Sequence, residues 1–201
     1  MPPEFDDFAN YDDKYYDMAR GYCLLVHAEL ESYFEKICSA YIDVKVKKYT
    51  RTGEANDVIL AIAFLFIQDS DSKSGSIFQS AINKMKKCKS DKVSERVNSF
   101  SASYKSVVKD NNGIKEADLK KLFIPTGLLD KVENKFDNFD SFGCDRGSIA
   151  HASTIPRMHN QIDPKIYYNK VCNDLLPSIE YIDNLVVQSE SSLVEIDWDR
   201  Y

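Results

Sequence analysis

The run Arg146-Gly147-Ser148-Ile149-Ala150-His151 sets a permanent cation and a titratable imidazole on the same short segment, with four residues between them. An arginine grips a phosphate through parallel N–H donors, and a histidine exchanges a proton near neutral pH. Directed at one substrate, the two are enough to break a phosphodiester without a metal ion. Asp145, Gly147 and Ser148 flank the arginine. Nothing else in the chain concentrates comparable chemistry.

The spacing itself constrains the backbone. In a regular helix, residues five apart point about 140° away from each other, so Arg146 and His151 would not share a face. Gly147 permits a non-helical entry at Arg146, and Ser141-Phe142-Gly143 reads as an interruption just before it. The sequence therefore predicts a loop-to-helix junction at the run. The plain alternatives are a helix histidine bonded to a nearby carbonyl and an arginine paired with Asp145 or Asp140. A hydrolase pair of Cys144 with His151 has no third orienting residue and no oxyanion motif to support it. His27, His151 and His159 are scattered without a repeated spacing, so neither a metal nor a cofactor is expected.

The elements that must position the run are helical. Tyr22, Leu25, Val26, Leu30, Tyr33, Phe34, Ile37 and Tyr41 recur at three and four, which predicts a long helix over 15–49 with Gly53 at its end. Glu29 falls at the edge of that stripe and is a candidate to reach Arg146 or His151, its plain alternative being an ordinary boundary carboxylate, while His27 reads as structural. Val58 to Ile67 is continuously apolar; its surroundings favour a buried helix over a strand. A polar loop over 69–76, a helical pattern over 77–108 and a turn at Asn111-Asn112-Gly113 follow. Glu116 to Phe123 reads as a short helix stopped before Pro125, and Thr126 to Phe139 as another. Pro164 opens the last helix, whose face is Val171, Leu175, Ile179, Ile182 and Val186, and Pro177 should kink it. The ensemble is an all-α bundle of about four to six helices.

Composition fits one core, or one core plus a small appendage. The chain has 201 residues, 43% hydrophobic and 29% charged, and shows no repeat. The acidic start, Met1 to Asp17, lacks the apolar core of a secretory signal. The longest apolar run has ten residues, against about 20 for a membrane span. Five cysteines without a close pair suit a reducing compartment, so a cytoplasmic protein without membrane attachment is expected. The net charge of −6 is uneven: residues 1–44 carry 3 basic and 10 acidic side chains, residues 45–121 carry 16 and 9, and residues 122–201 carry 7 and 13. The basic third is densest at Lys84, Lys86, Lys87, Lys89 and Lys92, a candidate RNA-binding patch whose plain alternative is a solvated helix face.

These residues resemble the HEPN domain family. Arg, four to six residues and then His is that family's signature, and Arg146 to His151 fits its shortest form. His27-Ala28-Glu29-Leu30-Glu31, Gly113-Ile114 with Leu119 to Gly127, and Asp140-Ser141-Phe142-Gly143 are similar to the bacterial RiboL-PSP-HEPN type. The resemblance covers roughly residues 15–187, leaving 1–14 and 188–201 as tails. It implies a compact helical bundle, commonly a homodimer, with metal-independent endoribonuclease activity in bacterial defence or toxin systems. Arg146 and His151 would be the catalytic pair, meeting their counterparts in a cleft at the dimer interface. A cognate antitoxin or defence partner protein would be a possible further component. Many members carry a polar residue, often Asn, directly after the arginine, where this chain has Gly147; the resemblance thus leaves Ser148 or Asp145 as the polar substitute in a supporting role beside Gly147. Toxins silenced by an attached nucleotide often carry Tyr two residues after the histidine, where this chain has Ser153. The other function class is a HEPN-like helical module that binds nucleotide, RNA or a partner protein without cutting.

Overall fold

The computed structural model of the chain describes residues 13–68, 90–151 and 163–189, with side chains over 14–62, 95–149 and 163–189. Every regular element among them is helical. In chain order these are α1 (Asp13–Thr52), α2 (Asp57–Gln68), α3 (Ser90–Lys109), α4 (Glu116–Phe123), a 3-10 turn (Ile124–Thr126), the single-turn α5 (Leu129–Val132), a second 3-10 turn (Glu133–Lys135), α6 (Phe136–His151), α7 (Pro164–Lys170), a π turn (Val171–Leu175) and α8 (Leu176–Ser189). With the stretch from Pro164 to Ser189 taken as one rod and α5 set aside, six helices are described, so the chain is all-α as expected. No described helix is long and apolar enough to cross a membrane.

The described residues divide into two compact units. Residues 13–34, 112–119, 132–151 and 163–189 form the first; residues 35–68, 90–111 and 120–131 form the second.

The second unit is a closed apolar core. Ile37, Cys38, Tyr41, Ile42 and Val46 of α1, Val58, Ile59 and Ile62 of α2, Val97 and Tyr104 of α3, and Leu122, Phe123 and Leu128 are all buried. α1 stops at Gly53, whose φ of +72° suits a residue without a Cβ and whose N–H donates to the Tyr49 carbonyl at 2.8 Å. Asn56 starts α2: its Oδ1 accepts from the Ile59 N–H at 3.2 Å, and its Nδ2 donates to the Lys45 carbonyl at 2.9 Å. The continuously apolar stretch is thus a capped helix. The Tyr104 hydroxyl donates to the Leu122 carbonyl at 2.9 Å, which ties α3 to the end of α4.

In the first unit the buried face of α1 keeps Leu30 and Phe34 of the expected stripe but departs from it at Leu25. Tyr16, Ala19, Cys23, His27, Leu30 and Phe34 are buried, whereas Leu25 is 68% exposed. Small residues at 19 and 23 let neighbouring helices approach, and that sets the helix rotation more than the scattered aliphatics do. Against this face α6 buries Phe136, Phe139 and Phe142, with the Phe34 and Phe139 rings edge to face at 4.9 Å. The Tyr33 hydroxyl donates to Asp183 at 2.7 Å.

Asp163 caps α7, its carboxylate accepting from the Lys165 N–H at 2.9 Å, and Pro164 occupies the first turn as expected. Downstream, Pro177 cannot donate to the preceding turn. A π turn over Val171–Leu175 precedes it, and Ser178 Oγ donates to the Asp174 carbonyl at 2.6 Å. Val171, Leu175, Ser178, Ile182 and Val186 are buried; Ser178 takes the place expected for Ile179.

Two further expectations fail in this unit. The break after Phe139 does not occur: Ser141-Phe142-Gly143 lies inside α6, and the irregularity falls earlier, at the 3-10 turn Glu133–Lys135. Nor is there a loop-to-helix junction at the Arg–His run, because α6 is continuous from Phe136 to His151. The balance explains both. Each internal glycine costs a helix about 1 kcal/mol, whereas each buried phenylalanine contributes about 1.5–3 kcal/mol, and α6 buries three. Gly143 serves close packing rather than flexibility: a Cβ there would lie 3.1 Å from Lys115 Cγ and 3.5 Å from Ile114 Cγ1.

Candidate functional site

The phenylalanine stripe of α6 dictates where the arginine goes. Residues three and four beyond Phe142 lie on the same side of a helix, so Asp145 and Arg146 continue the packed face as it turns from apolar to charged. Both are half-buried. From α1, Cys23 and His27 share their surroundings, and from α7, Tyr167 and Lys170 complete the cluster.

Asp145 is the centre of its contacts. Lys170 Nζ lies 2.6 Å from its carboxylate and also donates to Ser141 Oγ at 2.9 Å. The Tyr167 hydroxyl hydrogen-bonds to Asp145; burial and that carboxylate's charge raise the phenol above its ordinary range. The Tyr167 ring packs on Phe142 with centroids 6.2 Å apart. Asp140 is engaged elsewhere, accepting from the Glu116 N–H at 3.0 Å at the start of α4. Both carboxylates expected as partners of Arg146 are therefore bonded to other groups. Among the described residues Arg146 itself has no hydrogen bond or ion pair, although its charge acts on Cys23 and His27. A half-buried guanidinium left in this state has N–H donors to offer an oxyanion.

The two buried α1 groups feel that charge. Burial pushes the Cys23 thiol up to about 11; Asp145 pushes the same way, while Lys170 and Arg146 pull it down. The His27 imidazole is held below its ordinary value, first by burial and then by Arg146. Glu31 stands 3.6 Å from its Nδ1 and would favour the charged ring, but the two opposing effects prevail.

The remaining candidates fall as follows. His151 is the last residue of α6, and its side chain lies outside the described residues. On the helical backbone, position 151 stands about 140° around the axis and about 7.5 Å along it from position 146. Gly147 is inside the helix, with nothing within 4 Å of where a Cβ would stand. Ser148 is exposed, and its hydroxyl donates to the Cys144 carbonyl at 3.2 Å. Glu29 is exposed on α1, and the α1 side chains beside Arg146 are His27 and Cys23 instead. Their spacing with Ala19, Leu30 and Phe34, at four, four, three and four, was the available signal, masked by the larger Leu24 and Leu25. Lys84, Lys86, Lys87 and Lys89 lie outside the described residues. The Lys170–Asp145–Tyr167 group has no sequence signature, because it joins α6 and α7 across the segment 152–162.

No curated protein and no solved structure matches the chain. A family model does: RiboL-PSP-HEPN, over residues 4–188. With the resemblance noted in the Arg–His run and in the stretches around it, that match establishes that the chain belongs to the RiboL-PSP-HEPN family.

Proposed function

We propose that the protein is an endoribonuclease of a bacterial defence or toxin system, cutting RNA through Arg146 and His151 without a metal ion. The observation that carries this reading is Arg146: half-buried, lacking a described ionic partner, and in Arg-x4-His register within a chain of a HEPN family. RNA brings its own nucleophile. The 2′-oxygen bonds to phosphorus as its proton passes to a base, and the bond from phosphorus to the 5′-oxygen breaks as that oxygen takes a proton from an acid. His151 exchanges these protons. Arg146 holds the non-bridging oxygens as their charge grows. The products are a 2′,3′-cyclic phosphate and a 5′-hydroxyl.

One helix turns positions 146 and 151 away from each other, so a homodimer suits this chemistry: a second copy supplies a second imidazole, one acting as base and one as acid. The lysines at 84–89 would attract the RNA backbone, and a cognate antitoxin or defence partner would restrain the activity. The same divergence favours a second reading, a helical module that binds RNA, nucleotide or protein without cutting.

Incubation of the purified chain with mixed RNA separates the two. The nuclease yields cyclic-phosphate ends in EDTA, and His151→Ala abolishes them while melting as the wild type does. Salt-dependent binding with no cleavage establishes the module instead, and cleavage only on adding metal rejects the scheme.

A further inference from the structure

Lys170 and Asp145 form an ion pair at 2.6 Å, and the charges of both, with that of Arg146, act on the Cys23 thiol. Adjacent positions on a helix point about 100° apart, so an Asp145–Arg146 pair needs the long guanidinium side chain to fold back onto the carboxylate. The carboxylate instead bonds Lys170, with Tyr167 on the same group and Ser141 Oγ holding the ammonium at 2.9 Å. Lys170 stands at the end of α7, where the helix passes into the π turn Val171–Leu175, the kind of register slip that re-aims side chains at functional sites. We propose that Lys170 is a positioning residue for Arg146: together with Tyr167 it holds the Asp145 carboxylate away from the adjacent guanidinium, so that the guanidinium stays available to an RNA phosphate. The consequence for RNA rests on the ribonuclease reading; the arrangement of the three side chains does not.

Removing the ammonium frees Asp145 to close on Arg146, which then meets a phosphate already neutralised. A fluorescent 2′-O-methyl oligonucleotide, which lacks the nucleophile, reports binding alone. Lys170→Met weakens that binding about tenfold, the scale of one charge-assisted contact, and Lys170→Arg keeps it. Adding Asp145→Asn to Lys170→Met restores affinity. Adding Asp137→Asn, on the exposed side of the same helix and with the same change in net charge, does not. Equal rescue by the two asparagines, or none by Asp145→Asn, overturns the proposal. Tyr167→Phe, which keeps the ring packing, shows a smaller loss in the same direction.

The His27 imidazole gives a readout that needs no RNA, because Arg146 holds its pKa down. By NMR titration that pKa rises in Lys170→Met and returns in the double variant with Asp145→Asn. An unchanged His27 in Lys170→Met defeats the positioning role alone. A protein that shows the His27 response but neither binds nor cuts RNA defeats the ribonuclease reading alone.

Discussion

α1 carries two buried thiols, one in each unit, and their surroundings differ in kind. Cys38, in the second unit, is raised by burial, opposed by a hydrogen bond with the Tyr104 hydroxyl, which itself donates to the Leu122 carbonyl at 2.9 Å. Among the described residues, the Tyr41 hydroxyl is buried there without a hydrogen bond, and no ionisable side chain but the Tyr104 phenol acts on this thiol. Cys23, in the first unit, is equally buried, yet Asp145, Lys170 and Arg146 all act on it. Collecting three ionisable side chains beside a core position costs desolvation that an apolar filling would avoid. A structure tolerates that where the charges have a use beyond stability, and one of the three, Arg146, has no described partner. The contrast assigns stability to one region and chemistry to the other, and substitutions can test the division in order of expected size.

The largest effect belongs to Arg146. Arg146→Lys keeps the charge but loses the planar pair of donors, and cleavage should fall by about a hundredfold or more while the melting temperature stays put. A lysine variant that cuts RNA at the wild-type rate would remove the arginine from the mechanism. Tyr104→Phe should do the opposite. It leaves the buried Leu122 carbonyl without its donor, a loss of about 1–3 kcal/mol in denaturant unfolding, with turnover per folded molecule unchanged. If Tyr104→Phe slowed cleavage without destabilising the protein, the division between the units would fail.

The sequence made the helices legible because their ends are written in local chemistry. Gly53, Pro125, Asp163 and Pro164 each act within one turn, and the structure places the boundaries beside them. Rotation was harder to read. α1 carries large side chains on several sides, so the choice between the Leu25 face and the His27 face was settled by what packs against it, and that information is not local. The same holds at the candidate site. Arg146 was visible as a motif, but its escape from Asp145 depends on a lysine 24 residues further on. Gly143 misled for a related reason: a glycine that lets Lys115 approach closely has the same letter as one required by a hinge.

A smaller effect is expected from His27, and its sign is fixed. The folded pKa lies below the ordinary value, so the unfolded chain takes up more protons as the pH drops. The stability tied to the neutral ring is complete above the unfolded value of about 6.5 and declines as pH falls below it. His27→Gln should flatten the part of the melting-temperature curve between neutral and mildly acidic pH. An identical slope in the variant would mean that the ring is solvated in the folded state, and that Arg146 lies in a wetter place than the first unit's core implies.

The smallest effect distinguishes two meanings of one residue. If Gly147 were a hinge letting the arginine swing toward position 151, a side chain there would stiffen the segment and slow cleavage. In the structure it is an ordinary helical position with open space around it. Gly147→Ala should therefore stabilise the first unit by about 0.5–1 kcal/mol, the difference in helix propensity, and leave cleavage unchanged. A gain in stability accompanied by a loss of activity would show that the helix must open at this point for the site to form. The continuous α6 would then be its resting state, and the separation of positions 146 and 151 would be something RNA binding has to undo. A neutral outcome keeps the helix intact throughout and leaves the second imidazole to come from another copy of the chain.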